Sequence, residues 1–200
     1  MHKAMLKRVV RGVAWVAVRP AVWRCGLMGC LMGRDRAVAM VGESAATWPG
    51  LWGIYRRAAF YRSVLRRVGA DVSIGFGSVI TKADAELGGA VYLGRNCGVG
   101  RATLGEGVML ADGVQVLSGR HQHGSASDGG TALRDNPQRF DRVAIGEGAW
   151  LGASSVVMAD VGPRCVVAAG AVVVKPVPAG TRVAGVPAKP IADHGVRLAA

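Results

Sequence analysis

An aliphatic residue returns at every sixth position through much of the chain, and this regularity decides what the chain can fold into. In the run Ile145-Gly146-Glu147-Gly148-Ala149-Trp150-Leu151-Gly152-Ala153-Ser154-Ser155-Val156-Val157, the residues Ile145, Leu151 and Val157 keep that beat. The same spacing links Val68, Ile74 and Ile80, then Leu87, Leu93 and Val99, then Leu104, Leu110 and Val116, and glycine follows most of these positions. A period of six fits neither a helix nor simple strand alternation. It fits a short strand followed by a tight corner, repeated, which is the pattern of a hexapeptide parallel β-helix. The aliphatics point into a prism, and the glycines beside them permit the corner backbone.

Three stretches carry a more specific likeness: Trp150-Leu151-Gly152-Ala153, Val167-Ala168-Ala169-Gly170-Ala171-Val172-Val173-Val174-Lys175 and Ala184-Gly185-Val186-Pro187-Ala188-Lys189-Pro190-Ile191. They resemble the W-I-G, G-A-G-S-V-V-T-K and A-G-x-P-A-K segments of the hexapeptide-repeat acyltransferases, over about residues 68 to 191. The resemblance implies a mainly β, left-handed parallel β-helix, a homotrimer, and acetyl-CoA as co-substrate.

Composition agrees with a narrow prism: 50% of residues are hydrophobic but only 6% aromatic, and thirty are glycine. Cys25, Cys30, Cys97 and Cys165 have neither metal-ligand nor disulfide-framework spacing, so they are expected reduced and buried in a cytoplasmic protein. Residues 1–67 hold thirteen Lys or Arg against Asp35 and Glu43, so nearly all of the net charge of +12 lies there. Such a segment is either a solvated extension or attracted to an anionic surface, with the inner face of a membrane or an acidic glycan ahead of nucleic acid. Nucleic acid ranks last because no binding motif accompanies the charge.

The sequence divides into a basic, partly helical extension or cap over 1–67, the β-helix over 68–191, and a short tail over 192–200. Within residues 1–33, Arg8, Arg11, Arg19 and Arg24 interrupt every apolar run before it reaches membrane-spanning length, and Arg19-Pro20 argues against a secretory signal. A surface-lying amphipathic helix remains, packed on the protein or on lipid, with the protein preferred. Residues 49–67 predict a helix whose apolar face runs through Leu51, Tyr55, Ala58 or Ala59, Arg62 and Leu65, thickened by Ile54, Tyr61 and Val64, capping the open end of the prism. The tryptophans Trp15, Trp23, Trp48 and Trp52 are expected in the core of that cap.

The hexad phase slips by a residue or two between Ile80 and Leu87, Val99 and Leu104, and Val157 and Val161. It is lost altogether over the excursion 118–142, which is polar, glycine-rich, and contains His121 and His123. Long excursions from a compact scaffold are more often functional than idle.

Acyl transfer from a thioester to a hydroxyl needs a base of near-neutral pKa beside the acceptor oxygen and donors for the oxyanion. Ser118-Gly119-Arg120-His121 resembles the Ser/Thr-x-x-His segment that bears the family's catalytic histidine. The resemblance therefore implies His121 as base, with His123 as the alternative or as a substrate contact; the bland reading makes both polar loop residues. Asp112, Asp128 and Asp141 are candidate orienting carboxylates. By the same resemblance the coenzyme lies between subunits, on backbone amides at Ala153 and Ala169, with Gly152 and Gly170 permitting close approach. Lys175 and Lys189 match positions near the nucleotide phosphates, although Val174 replaces the Thr common before the first Lys. Coil geometry alone also accounts for these residues. Trp150 is read as packing at the trimer interface, or as a wall of the coenzyme groove.

The function implied is a cytoplasmic, acetyl-CoA-dependent O-acetyltransferase acting on a sugar or glycan precursor, peripheral at the inner membrane if residues 1–33 bind lipid. Serine O-acetylation and amino-sugar N-acetylation are the alternatives. A metal enzyme of the γ-carbonic-anhydrase type would need three histidine ligands where only His121 and His123 lie in the repeats, so no metal is expected. A non-catalytic scaffold leaves the histidine-bearing loop unexplained.

Overall fold

The computed structural model describes residues 2–120, 122 and 136–192, with side chains from residue 5. Four helices, α1 (His2–Ala17), α2 (Arg19–Met32), α3 (Arg34–Ala46) and α4 (Gly50–Val64), precede a succession of two- and three-residue strands. The strands stack into three parallel sheets that form the walls of a prism.

The first face carries Arg67–Val68, Glu86–Leu87, Ala102–Leu104 and Val143–Ile145, continued by bridges at Val161 and Val177. The second carries Ser73–Ile74, Tyr92–Leu93, Met109–Leu110, Trp150–Leu151, Val166–Val167 and Arg182–Ala184, and the third Val79–Ile80, Gly98–Val99, Gln115–Val116, Val156–Val157 and Val172–Val173. Each coil visits the three faces in turn, so a residue lies in register with its counterpart one coil on, as Leu93 does with Leu110. The parallel β-helix expected from the repeat is the fold observed.

The hexad aliphatics form the core. Ile74, Ile80, Leu87, Leu93, Leu110, Leu151, Val157 and Val167 are fully buried, stacked coil upon coil. The strands are short because only one side chain per face fits into so narrow a prism. At each bend the backbone must turn sharply, and positive φ angles at Asn96, Ser154 and Arg164 recur at the bends as they do at the corner glycines. The slip between Ile80 and Leu87 becomes a bend in which Ala83 and Ala85 are both buried.

The helices close the end of the prism where the first coil starts, through contacts of α4 with the first two strands and of α3 with the third. The face that α4 buries overlaps the expected stripe at Tyr61 and Val64, with Leu65 buried just beyond it, but is otherwise different. It runs through Gly53, Arg57, Phe60, Tyr61 and Val64, whereas Leu51 is exposed and Tyr55 only partly covered. The reason is hydrogen bonding at the open strand edge. Arg57 is fully buried, donating from Nε to the Ile74 carbonyl at 2.9 Å and from Nη1 to that of Trp48, while the Tyr61 hydroxyl accepts from the Ile80 N–H at 3.0 Å. Two polar side chains thus satisfy edge groups that no further coil could reach, and an apolar face would leave them unpaired. Burial pulls the Arg57 guanidinium below its ordinary pKa and pushes the Tyr61 phenol above its own.

Two further expectations are corrected. Of the four N-terminal tryptophans only Trp48 belongs to the cap core, edge-on to Phe60, while Trp15, Trp23 and Trp52 are exposed. Cys25, Cys97 and Cys165 are buried, but Cys30 is exposed on α2. The helix α3 was not anticipated, since it buries small residues, Ala37, Val38, Val41, Gly42, Ala45 and Ala46, and has no stripe of large ones.

Candidate active site

Two corners of the prism gather the residues singled out from the sequence. At the corner between the second and third faces, Gly152, Ala153, Ser154 and Ser155 turn the chain, and one coil later Ala168, Ala169, Gly170 and Ala171 do the same. The Gly170 N–H donates to the Ala153 carbonyl at 2.8 Å, and the Gly152 N–H to that of Val167 at 2.7 Å. The coils approach so closely that a Cβ on Gly152 would lie 2.5 Å from the Ala169 nitrogen. Ala153 and Ala169 are both exposed, and among the described residues neither backbone N–H has an acceptor. Two outward amide donors therefore stand one coil apart beside Trp150, which is half exposed.

The excursion leaves from the next corner, between the third and first faces. Ser118 is almost wholly buried; its Oγ accepts the Arg101 N–H at 2.8 Å and its carbonyl the Asp141 N–H at 3.0 Å. Gly119 has φ 82°, and a Cβ there would lie 2.9 Å from the Asp141 Cβ, so outgoing and returning chain meet at this point. Asp84 fastens the return: its Oδ2 accepts from Arg101 Nε at 2.7 Å and from Arg142 Nη2 at 2.8 Å, and Arg142 also reaches Thr103 Oγ1 at 3.2 Å. Arg101 Nη1 donates to the Phe140 carbonyl at 3.1 Å, and the Lys82 ammonium sits 3.4 Å over the Phe140 ring while pairing with Asp35 of α3 at 3.2 Å.

Between this root, the third face and the start of α3 lies a cavity of about 760 Å³, lined among others by Arg36, Thr81, Gly100, Gln115, Ser118 and Gln138. Gly98 and Gly100 leave room for it. A Cβ at Gly98 would displace the Gln115 amide, 2.1 Å away, and one at Gly100 would meet Ser118 Oγ at 2.4 Å. The walls combine amide, hydroxyl and charged groups with apolar surface from Val99, Val116, Leu117 and Phe140, so a guest with both polar and apolar faces can be received.

His121 and His123 lie outside the described residues, as does Asp128. Their described neighbours border the cavity's corner: Gln122 lines the cavity, and Arg120 Nη1 donates to the Val174 carbonyl at 3.2 Å, two coils on. Of the other candidate carboxylates, Asp141 lies against Gly119, whereas Asp112 belongs to the amide corner, where its Oδ1 accepts the Arg95 N–H at 2.8 Å. Trp150, Gly152, Ala153, Ala169 and Gly170 come together. Lys189 lies nearby, on the return strand beside Ala184, but Lys175 follows Val174 at the excursion's corner. Asp84, Arg101 and Arg142 were missed, and the clue available was the extra residue between Ile80 and Leu87, where Asp84 sits. Among the described residues no cluster of three or more His, Cys, Asp or Glu could hold a metal ion, and none of the four histidines has a described side chain.

No family model matches the chain. Over 107 residues it is 36% identical to serine acetyltransferase 2 of Arabidopsis thaliana, covering 52% of this chain and 29% of that protein. The chain thus spans under a third of that curated relative. Among solved structures it resembles a maltose O-acetyltransferase from Clostridium difficile 630, with a TM-score of 0.68 at 22% identity over 80% of this chain and 87% of that one. It also resembles a hexapeptide-repeat-containing acetyltransferase from Vibrio cholerae solved with acetyl coenzyme A, with a TM-score of 0.58 at 18% identity over 82% and 90% of the two chains. By repeat and by fold the chain is a hexapeptide-repeat β-helix protein, built as those acetyltransferases are built.

Proposed function

We propose that the protein is a cytoplasmic, acetyl-CoA-dependent O-acetyltransferase that acetylates a hydroxyl of a sugar or glycan precursor. The observation that carries this reading is the pair of unpartnered, outward N–H groups at Ala153 and Ala169, one coil apart. An extended amide-bearing chain such as pantetheine presents carbonyls to which such donors can bond, and exposed Gly170, with open space where a Cβ would stand, lets it lie against the wall. The cavity at the root of the excursion, with Gln115, Ser118 and Gln138 among its lining, is the place for the acceptor. His121 then takes the hydroxyl proton as the acceptor oxygen attacks the thioester carbonyl, and returns it to the departing coenzyme thiolate as the acetyl ester forms.

We further propose a homotrimer, the assembly the resemblance implies, and the spacing of the two corners is consistent with a site shared between copies. The amide corner and the excursion corner flank the third face, and the five steps from Gly113 to Ser118, at about 3.3 Å each, span roughly 16 Å. In one copy the amides at Ala153 and Ala169 and the root of the excursion at Ser118 and Gly119 therefore stand at opposite edges of a wall. A neighbouring copy that sets its excursion beside the first copy's amides would complete the site.

The test is thiol release from acetyl-CoA in the presence of a panel of sugars. His121→Ala should lower turnover by about a hundredfold or more, as expected for a lost general base, with His123→Ala costing less. The reverse order would move the base to His123, and full activity in both variants would overturn histidine catalysis. Serine O-acetylation is the second reading, favoured by the 36% identity with the plant enzyme. L-serine belongs in the same panel.

A further inference from the structure

The helices α1 and α2 turn their apolar side away from the protein. Met5, Val9, Val13, Val16, Trp23, Leu27 and Leu31 are each between 55% and 77% exposed. Their steps of four, four, three, seven, four and four residues keep helical phase along one line. The line is unbroken across the junction, because the bonds Val18 N–H to the Ala14 carbonyl (3.1 Å) and Val22 N–H to the Val18 carbonyl (3.0 Å) bracket Pro20. Ala14, Val18 and Cys25, on the opposite side, are buried. From Met5 to Leu31 the stripe runs about 39 Å at 1.5 Å per residue. A helix of a soluble protein ordinarily buries such a stripe, and a patch of this length on a monomer marks an interaction surface.

The charges are arranged to match. No Asp or Glu occurs before Asp35, while Lys3, Lys7, Arg8, Arg11, Arg19, Arg24 and Arg34 do. Arg11 is turned inward to pair with Asp71, whose carboxyl it holds below the usual range; Arg19 lies 3.3 Å over the Trp15 ring and Arg24 donates to Ser44 at 3.0 Å. Lys7 lines the groove between α1 and α4, and Arg8 is exposed. Among the described residues no helix is long and apolar enough to cross a membrane.

We propose that this outward stripe, bordered by basic residues, lies in the headgroup boundary of an anionic lipid bilayer and docks the protein there. An in-plane helix needs an apolar face to enter the acyl boundary and cations to meet lipid phosphates, and both stand on the successive helices α1 and α2 here. A second copy of the chain is the poorer occupant. It would bring an equally cationic segment against this one.

The experiment is co-sedimentation of the full chain with sucrose-loaded vesicles of phosphatidylcholine, with and without about a third phosphatidylglycerol. The chain should partition at least tenfold more strongly onto the anionic vesicles. Trp23→Glu with Leu27→Glu should lower that partition tenfold or more, with melting temperature and sedimentation-equilibrium mass unchanged. Lys7→Ser with Arg8→Ser should remove most of the preference for anionic over neutral vesicles. Independently of any variant, brominated lipids should quench part of the tryptophan fluorescence of the unmodified chain. No binding at low salt, unaltered binding by the Trp23 and Leu27 variant, or a fall in its mass, which would mean that the stripe joins two copies, overturns the proposal.

Discussion

Replacing Ala153 with proline isolates the proposed coenzyme contact from everything else at its corner. The substitution deletes one N–H and adds a ring, and the chain already contains the outcome: the corner Gly162-Pro163-Arg164 repeats the corner Gly152-Ala153-Ser154. In both, the third residue has positive φ, 55° at Arg164 and 57° at Ser154. In both, its N–H donates to the coil below, to Glu147 at 2.8 Å and to Asp112 at 2.9 Å, and a Cβ on the glycine would lie 2.5 Å from the nitrogen above. Proline at such a site restricts the unfolded chain and contributes about 0.4–1 kcal/mol of stability where it fits. At about 2–4 °C per kcal/mol for a chain of this size, melting should stay level or rise by one to a few degrees. The lost hydrogen bond is worth about 0.5–1.5 kcal/mol, which raises the KM for acetyl-CoA roughly two- to tenfold. Steady-state kinetics with varied acetyl-CoA, beside a thermal melt, read both quantities. An unchanged KM in a variant that melts no lower than the parent would refute the contact at Ala153.

Leu110→Ala should cost about 4 kcal/mol in urea unfolding, near the upper part of the range for such truncations, because hydrogen-bonded coils hold Leu93 and Leu151 apart and the gap cannot close. Met109→Ala next to it, on the exposed side, should cost less than about 1 kcal/mol, and equal losses would refute the assignment of faces. Asp84→Ala removes the acceptor shared by Arg101 and Arg142, so limited proteolysis should cut residues 118–142 faster while the urea midpoint falls by the equivalent of only about 1 kcal/mol. Tyr92, Met109 and Trp150 stack in register as an exposed ladder, and Trp150→Glu should shift sedimentation equilibrium from trimer to monomer; a monomeric parent protein would remove the neighbouring copy from the proposed site.

The β-helix was legible because its physics is local and repeated. One inward side chain per strand must be aliphatic, the corner beside it must turn, and both needs recur at fixed spacing. The backbone of the amide corner was legible for the same reason, since Gly152 holds a close approach to the next coil and Gly170 a positive φ of 69°. The cap was not. Its contacts join polar atoms far apart in sequence, and nothing in the pattern around Arg57 or Tyr61 announces that they serve the edge at Ile74 and Ile80. The exposure of Trp15 and Trp23 was likewise hidden, because a helical stripe looks the same whether it faces a core or the outside. Asp84 left a trace as an extra residue in the repeat, but its two arginine partners come from different coils, and spacing cannot pair them.

A stack of parallel coils has no inherent last member, since every rung offers the next the same row of donors and acceptors. Among the described residues the last strand, Lys189–Pro190, runs back antiparallel to Arg182–Ala184, and the Ala188 N–H covers the Val172 carbonyl at 2.8 Å on the adjoining face. Proline cannot donate outward, and exposed Lys189 repels its own kind. With Arg57 and Tyr61 occupying the opposite edge, neither end invites another molecule to continue the ladder. The protein is thereby guarded against growing end to end into filaments.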